Sequence, residues 1–484
     1  MTQVSKISVS GWKINSQLSI LAGGTAYYIV ILILDLTHLE SNFIMDGFSH
    51  IFTIANWETF SESLGRHVLV LHQLLPVICA KFGATIMGIM EAYVVGDVLF
   101  HFSIFLVLLL FFKDQLAALF AVSVHVFGMS YNHFMMVGEL HPGSMFAIMT
   151  LSIVLSWNDF NKWKKVLVVP AAFFTVSSHP LALVGFLVSA WLWRTATEKS
   201  VGLSRLWLIA LSIFMLLLKL LLLDDYDQQT IGSNLRTFSE AALTLLDPSY
   251  LLNFTLFFLF TSPVVVIMGL FGTVYLIGKR KYVTVLLFFA FQIGWAMLVQ
   301  QYLDFGFFAF DSTPSMMHDR YLFPMRFVTL SMVFLIVIPL AVQRSAWSNI
   351  HRYVIASWVL GLPFIFFSAK KADQTIAGFR DVVHIAQQQG ITKGYYSVDG
   401  YCDDVYLHRG SFFATFILSS IDHGEPSHII HASAETIRGL SSVKPEELLL
   451  MRGITCSKKE FNPKRFRVES GSYQQLDYSC NSNY

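Results

Sequence analysis

The sequence predicts a polytopic α-helical membrane protein of about 11–12 hydrophobic segments, ending in a small extracytoplasmic α+β domain. Three observations predict it. Hydrophobic residues make up 55% of the 484 residues and charged residues only 13%, about half the share of a soluble domain. Apolar runs near the roughly 20 residues needed to cross a bilayer recur over most of the chain. From about residue 370 the composition turns polar.

The elements follow in order. A short, mildly basic stretch, MTQVSKISVSGWKINSQ, leads into LSILAGGTAYYIVILIL at 18–34. That run is too long for a signal peptide and shows no clear cleavage site, so it reads as a retained first span. Further apolar stretches lie near 68–95, 97–112, 115–130, 143–157, 166–177 and 180–193. Others follow near 204–223, 253–277, 282–299, 322–342 and 351–369. Residues 166–193 read as two half-length helices broken at SSHP. Such a break is tolerated only where protein or a wet cavity satisfies the freed backbone groups.

Basic clusters at Lys162, Lys164 and Lys165, at Arg194, Lys199 and Arg205, at Lys279–Lys281, and at Arg344 and Arg352 mark the cytoplasmic face. The loop 36–67, the loops 224–252 and 300–321, and the tail then lie outside. These ends require an odd number of crossings, whereas the apolar stretches number twelve, so one between 68 and 130 is misread or interfacial.

The chain divides into a membrane domain, 1–369, and a soluble outer domain, 370–484. In the latter, DQTIAGFRDVVHIAQQQG reads as a helix ending at Gly390. ITKGYYSVDGY reads as strand and turn, and LSSIDHGEPSHIIHASAET and PEELLLMRG as further short strands. The cysteines are Cys79, Cys402, Cys456 and Cys480, without metal spacing. The three in the tail allow one disulfide. A net charge of +1 gives no electrostatic basis for binding nucleic acid. No P-loop, Rossmann glycine pattern, HExxH or GxSxG occurs.

Polar residues concentrate at the outer ends of spans. The first loop, 36–67, holds Glu40, Asp46, His50, Glu58, Glu62, Arg66 and His67. From His50, the residues Ile51, Ile54, Trp57 and Phe60 recur at spacing three or four, which predicts an amphipathic helix lying on the outer membrane surface. Asp46, followed by Gly47, is presented near the headgroups, with Glu58 and Arg66 as candidate substrate contacts. YNHFMMVGELHPGS at 131–144 offers Glu139 and His141 to orient a sugar or an acceptor, or to cap the helix around Pro142. His179 sits at the SSHP break, where half-helix ends make ion sites or a kink is simply capped. FAFDSTPSMMHDRYLFPMRF at 308–327 supplies Arg320 and Arg326, and an intramembrane arginine needs a partner or a polar cavity. A guanidinium grips phosphate with two parallel hydrogen bonds, so these two, joined by Lys219, are candidates for a lipid-linked phosphate.

This layout, with RYLFPMRF at 320–327, GITKGYYSVDGY and LSSIDHG, resembles the GT-C superfold, the multi-spanning glycosyltransferases that use polyprenyl-phosphate sugars. The resemblance covers most of the chain and rests on layout more than on motif. It implies a transferase of the cell envelope in a bacterial inner membrane, with a periplasmic C-terminal domain. It implies a polyprenyl-phosphate sugar donor and a glycan, lipid or protein acceptor. It also implies an acid in the first loop that acts as general base: Asp46 first, and Asp35, at the end of the first span, in reserve. Many members place two acids side by side in that loop, and this loop has none. The resemblance allows a divalent metal, which no ligand spacing in this sequence signals. The competing readings are a lipid or solute transporter or flippase, which the broken segments and intramembrane charges favour, and a non-catalytic subunit of a membrane complex.

Overall fold

The computed structural model describes residues 14–44, 47–61, 66–129, 133–134, 140–197, 203–222, 248–299, 320–342, 349–396, 405–423, 426–431, 440, 442–449, 455–466, 468 and 470–476. Within these, the chain is a polytopic helical membrane protein. Five helical stretches are long and apolar enough to cross a bilayer: Ser16–Thr37, Ile86–Phe111, Tyr282–Val299, Phe323–Ala341 and Ile350–Gln388. A sixth is obtained if the bent pair Phe254–Thr261 and Pro263–Gly278 forms one span. The remaining apolar helices are short.

Helix α1 (Ile14–Thr37) enters a 3-10 turn at Leu39–Phe43 and then α2 (Gly47–Trp57). Helices α3 (Leu69–Lys81) and α4 (Ile86–Leu106) form a hairpin, and α4 continues as a π-helical turn to Phe111. The apolar stretches near 68–95 and 97–112 are therefore divided differently from the sequence reading. The turn falls at Gly83, whose φ is +81°, and Thr85 caps α4 by accepting from the Gly88 amide at 3.1 Å. Gly96 lies inside α4, where a Cβ would meet the His72 carbonyl oxygen at 2.8 Å. It serves close helix approach, not a break.

Helix α5 (Gln115–Ser123) also ends in a π-helical turn, Val124–Gly128. It is followed by α6 (Leu140–Leu155), α7 (Lys162–Val166), α8 (Val168–Val176) and α9 (Pro180–Ala196). The SSHP segment does interrupt the helix, with His179 at the N-cap of α9. Helix α10 covers Arg205–Leu221, α11 Pro248–Thr261, α12 Pro263–Gly278 and α13 Tyr282–Val299. The stretch near 253–277 is not one straight span: Pro263 opens a new helix and the axis bends by 103°. Helix α14 (Phe323–Ser331) passes through a π-helical segment, Met332–Val337, into α15 (Ile338–Val342). Helices α16 (Ile350–Trp358) and α17 (Leu362–Gln388) follow. α17 passes through residue 370 without interruption and stops before Gly390, whose φ is +67°.

The two ends of the bundle differ. At one end the Ser16 hydroxyl donates to Gln115, and the Lys164 ammonium lies over the rings of Phe111, Phe112 and Phe160. This end carries basic residues of the 160s cluster. At the other end, α1 finishes beneath the C-terminal region.

There, β1 (Lys393–Tyr396), α18 (Val405–His423) and β2 (His428–His431) form a parallel crossover, and β5 (Gln474–Gln475) extends the sheet in the order β2-β1-β5. A separate antiparallel pair joins β3 (Glu447–Leu449) to β4 (Thr455–Ser457). The segment LSSIDH, expected as strand, is helix because Phe416, Ile417 and Leu418 continue the buried stripe of α18. Cys79 and Cys456 are free thiols, and Cys402 and Cys480 lie outside the described residues.

The expected amphipathic helix is α2, but the C-terminal region covers it. Phe52 packs against Phe413, Phe416, Phe461 and Phe466 at ring distances of 5.2, 5.8, 5.6 and 5.5 Å. Arg465 reinforces this junction. It donates to the carbonyls of Ala55 and Ala80 and pairs with Glu58 at 3.2 Å. Replacing Arg465 by Met is expected to weaken docking of the C-terminal region by about 3 kcal/mol, since hydrogen bonds to a charged group are worth roughly 1.5–3 kcal/mol each. Limited proteolysis should then cut near 455–466 faster, while the core of the helical bundle stays resistant.

A pH test follows from His428 in β2. Its Nδ1 lies 2.9 Å from the Tyr473 hydroxyl. Burial, and secondarily the Lys393 ammonium, push the imidazole down to about 3. Above the ordinary value near 6.5 the folded and unfolded forms are both neutral. Below it, only the unfolded chain takes up the proton. Stability of the C-terminal region is therefore expected to fall by about 1.4 kcal/mol per pH unit between roughly 6.5 and 3. Hydrogen exchange of the β1 and β2 amides against pH measures it, and His428→Gln should flatten the slope.

Candidate functional site

The described residues hold an unusual concentration of buried polar side chains where α1, α3, α4, the π-turn after α5, the segment at 133–134 and the start of α6 meet. α1 contributes Tyr27, Tyr28 and Asp35. Tyr28 and Asp35 are seven residues apart, two turns on one face. α4 contributes Tyr93, Asp97 and His101 at spacing four, a single stripe along one face. His72 comes from α3, His125 from the π-turn, and His133 and His141 flank the link into α6. All these side chains are essentially removed from the surface.

The geometry is built around two carboxylates. His133 donates from Nε2 to Asp35 Oδ1 at 2.8 Å. His101 donates from Nδ1 to the Asp97 backbone carbonyl at 2.9 Å, and the same nitrogen lies 3.3 Å from Asp97 Oδ2. His72 Nδ1 approaches Asp97 Oδ1 at 3.5 Å. Between the two carboxylate centres stands His125, whose Nδ1 is 2.8 Å from the Tyr27 hydroxyl. Its ring centre is 4.9 Å from that of His101, 5.3 Å from that of His133 and 6.1 Å from that of His141.

These contacts leave several buried atoms without a protein partner among the described residues: Asp35 Oδ2, His133 Nδ1, His125 Nε2, His141 Nδ1 and the Tyr28 hydroxyl. Each such atom costs about 1–3 kcal/mol. Their concentration in one place makes this cluster the candidate site. Among the described residues no group of three or more His, Cys, Asp or Glu side chains is arranged to hold a metal ion.

Two buried cationic side chains bond to backbone near these elements. Arg326, fully buried in α14, donates to Ser262 Oγ at the α11–α12 bend and to the Gly128 carbonyl at 3.3 Å. Gly128 closes the π-turn that bears His125. Lys219, near the end of α10, donates to the Ser178 carbonyl at 3.0 Å. Ser178 packs on Gly143, where a Cβ would collide with its hydroxyl, and Gly143 is two residues beyond His141.

Above the site, the 3-10 turn is tied to α17. His38 Nδ1 and the Ser41 hydroxyl meet Asp373 at 2.8 and 2.6 Å, and Arg380 pairs with Glu40 at 2.8 Å. Burial holds the Glu40 carboxyl above the usual carboxylate range, partly offset by the Arg380 guanidinium.

Of the residues expected from sequence, Asp35 and His141 are in the cluster, Arg326 bonds to Gly128 at the end of the π-turn, and Lys219 bonds to Ser178. Asp46 and Glu139 lie outside the described residues, as does the side chain of Arg320, whose backbone forms a 3-10 turn at Arg320–Leu322. His179 caps α9, accepting from the Leu181 amide at 3.3 Å. Glu58 serves the Arg465 junction instead of the cluster. Arg66 is buried just before α3. Sequence reasoning missed His72, Asp97, His101 and His125, and named His133 only within a polar stretch. The available signal was an acid and a histidine four residues apart inside an apolar span. Searches against protein families, characterised proteins and solved structures find no match to this chain.

Proposed function

We propose that the chain is a membrane glycosyltransferase that moves a sugar from a polyprenyl-phosphate donor to a hydroxyl of a glycan, lipid or protein. The observation that supports this reading is the buried Asp35–His133 pair at the end of α1 under the C-terminal region.

In this reading Asp35 fixes the tautomer of His133, so that Nδ1 presents a lone pair. The acceptor hydroxyl attacks the anomeric carbon, and its proton passes to His133 Nδ1. The bond from that carbon to the phosphate oxygen breaks, and the lipid phosphate leaves with the electron pair. Arg326, with Lys219, stabilises the charge that develops there. One base beside a good leaving group is enough for inversion. Asp35 thus takes the role that the resemblance gave to Asp46, acting through the imidazole. The bacterial inner membrane and a periplasmic C-terminal domain belong to the same proposal.

A proton-coupled transporter is the second reading. It is favoured by Asp97, which lies about three turns into α4, away from the helix end. Purified protein in vesicles, supplied with defined polyprenyl-phosphate sugars and saccharide acceptors, distinguishes the two. Release of polyprenyl phosphate coupled to a new glycosidic bond is the expected result. Solute uptake driven by a pH gradient, with no bond formed, would replace the transferase by the transporter.

A further inference from the structure

The mechanism above leaves Asp97, His101, His72 and His125 unused, although they are as deeply buried as the pair it employs. We infer that these residues form a proton path that connects the Asp35–His133 pair to a second proton store at Asp97. The inference adds to the proposed function a route for the proton taken from the acceptor.

Continuity is the first argument. The order Asp35, His133, His125, His101, Asp97, His72 has no gap larger than the packing distance of two rings. His133 and His125 each have one nitrogen engaged and one unpartnered among the described residues. His101 donates from Nδ1 to the Asp97 carbonyl and is also held at the His141 backbone. At His125 the Tyr27 hydroxyl can donate to Nδ1 or accept from it, so Nε2 can take up a proton or release one. A metal would need the free nitrogens to converge on one point, and they do not.

The surroundings are the second argument. Asp97 is faced by Tyr93 and His101 on its own helix and by His72 from α3. Tyr28 and Asp35 on α1 and His141 on α6 lie within Coulombic reach of it. Among the described residues no lysine or arginine faces Asp97, so protons on the imidazoles balance its charge. Beyond His72, the adjacent Gln73 bonds to Ser61 and lies 3.3 Å from His50 Nδ1, which leads the cluster toward the loop that follows α2. In each step an N–H bond breaks on the giving ring and an N–H bond forms on the receiving ring, or an O–H bond at Asp97. No further reactant is needed.

The test uses the full chain in lipid nanodiscs with 15N-labelled histidine and needs no substrate. Imidazole resonances are assigned with single His→Asn variants and followed against pH. In the wild type, proton exchange is expected to broaden the ring-nitrogen resonances of His133, His125 and His101 together over one pH range. His125→Phe should sharpen those of His133 and His101, because a through-space field persists in that variant but a relay does not. Asp97→Asn, of nearly the same shape, should slow the exchange at His133 although the two side chains do not touch. If the exchange at His133 is the same in the wild type, His125→Phe and Asp97→Asn, the path does not exist and the deeper cluster is a static hydrogen-bonded core. Because no transfer is measured, this outcome is separate from failure of the transferase reading, which the vesicle assay decides.

Discussion

Asp35→Asn is expected to lower the rate of sugar transfer by about 10³–10⁴-fold, with little change in the apparent KM for the donor. The amide keeps the shape of the carboxylate but no longer favours the His133 tautomer that exposes Nδ1, nor does it stabilise the imidazolium that forms. Loss of an orienting carboxylate in an Asp–His arrangement has effects of this order. The decisive comparison is with Asp35→Glu and with transfer measured at rising pH. If the carboxylate sets the proton acceptor, high pH should rescue part of the Asn variant, because a pre-ionised acceptor needs no base. Full activity of Asp35→Asn in the vesicle assay would remove the pair from the chemistry. The Asn side chain can accept from His133, so the variant should fold, and an unchanged melting profile verifies that the loss is chemical.

The second large effect is expected at Arg326. Arg326→Met leaves Ser262 Oγ and the Gly128 carbonyl without their donor. The cost is about 2–4 kcal/mol of stability, taking roughly 1–3 kcal/mol for each buried group left unpaired. The same variant should lower transfer by about 10²–10³-fold through loss of leaving-group stabilisation. Arg326→Lys separates the two roles. It keeps a cation near the phosphate but cannot reproduce two fixed donors, so stability should fall about as much as in Arg326→Met while transfer falls less. Equal transfer losses in both variants would mean that Arg326 only holds the α11–α12 bend against the π-turn. Thermal unfolding in detergent, read beside polyprenyl phosphate release, measures both quantities on one preparation.

The membrane character was legible because apolar runs are a local property, readable wherever they are long enough. Boundaries were less legible where a residue type has two physical uses. Gly96 looks like a gap in a hydrophobic run, yet it is the point where α4 lets the His72 carbonyl approach. Pro263 was read through, although it opens a new helix after a sharp bend. In the site, Asp35 could be found because it ends a span, and His141 because it neighbours Glu139 in a polar stretch. What could not be read was pairing: Asp35 and His133 are 98 residues apart. Asp97 and His101 were overlooked because two polar residues scarcely dent a hydrophobic average. Their spacing of four, with Tyr93 one turn earlier, was the information that mattered. Arg465 was unreadable for another reason, since two of its partners are backbone carbonyls, to which any sequence contributes.

α17 runs for 27 residues, about 40 Å, from the middle of the bundle to the edge of the parallel sheet. Just before its first turn, Gly361 is pressed against Val126, the neighbour of His125, and halfway along it Asp373 grips the turn above Asp35. One continuous helix therefore joins the neighbourhood of the imidazoles to the parallel sheet.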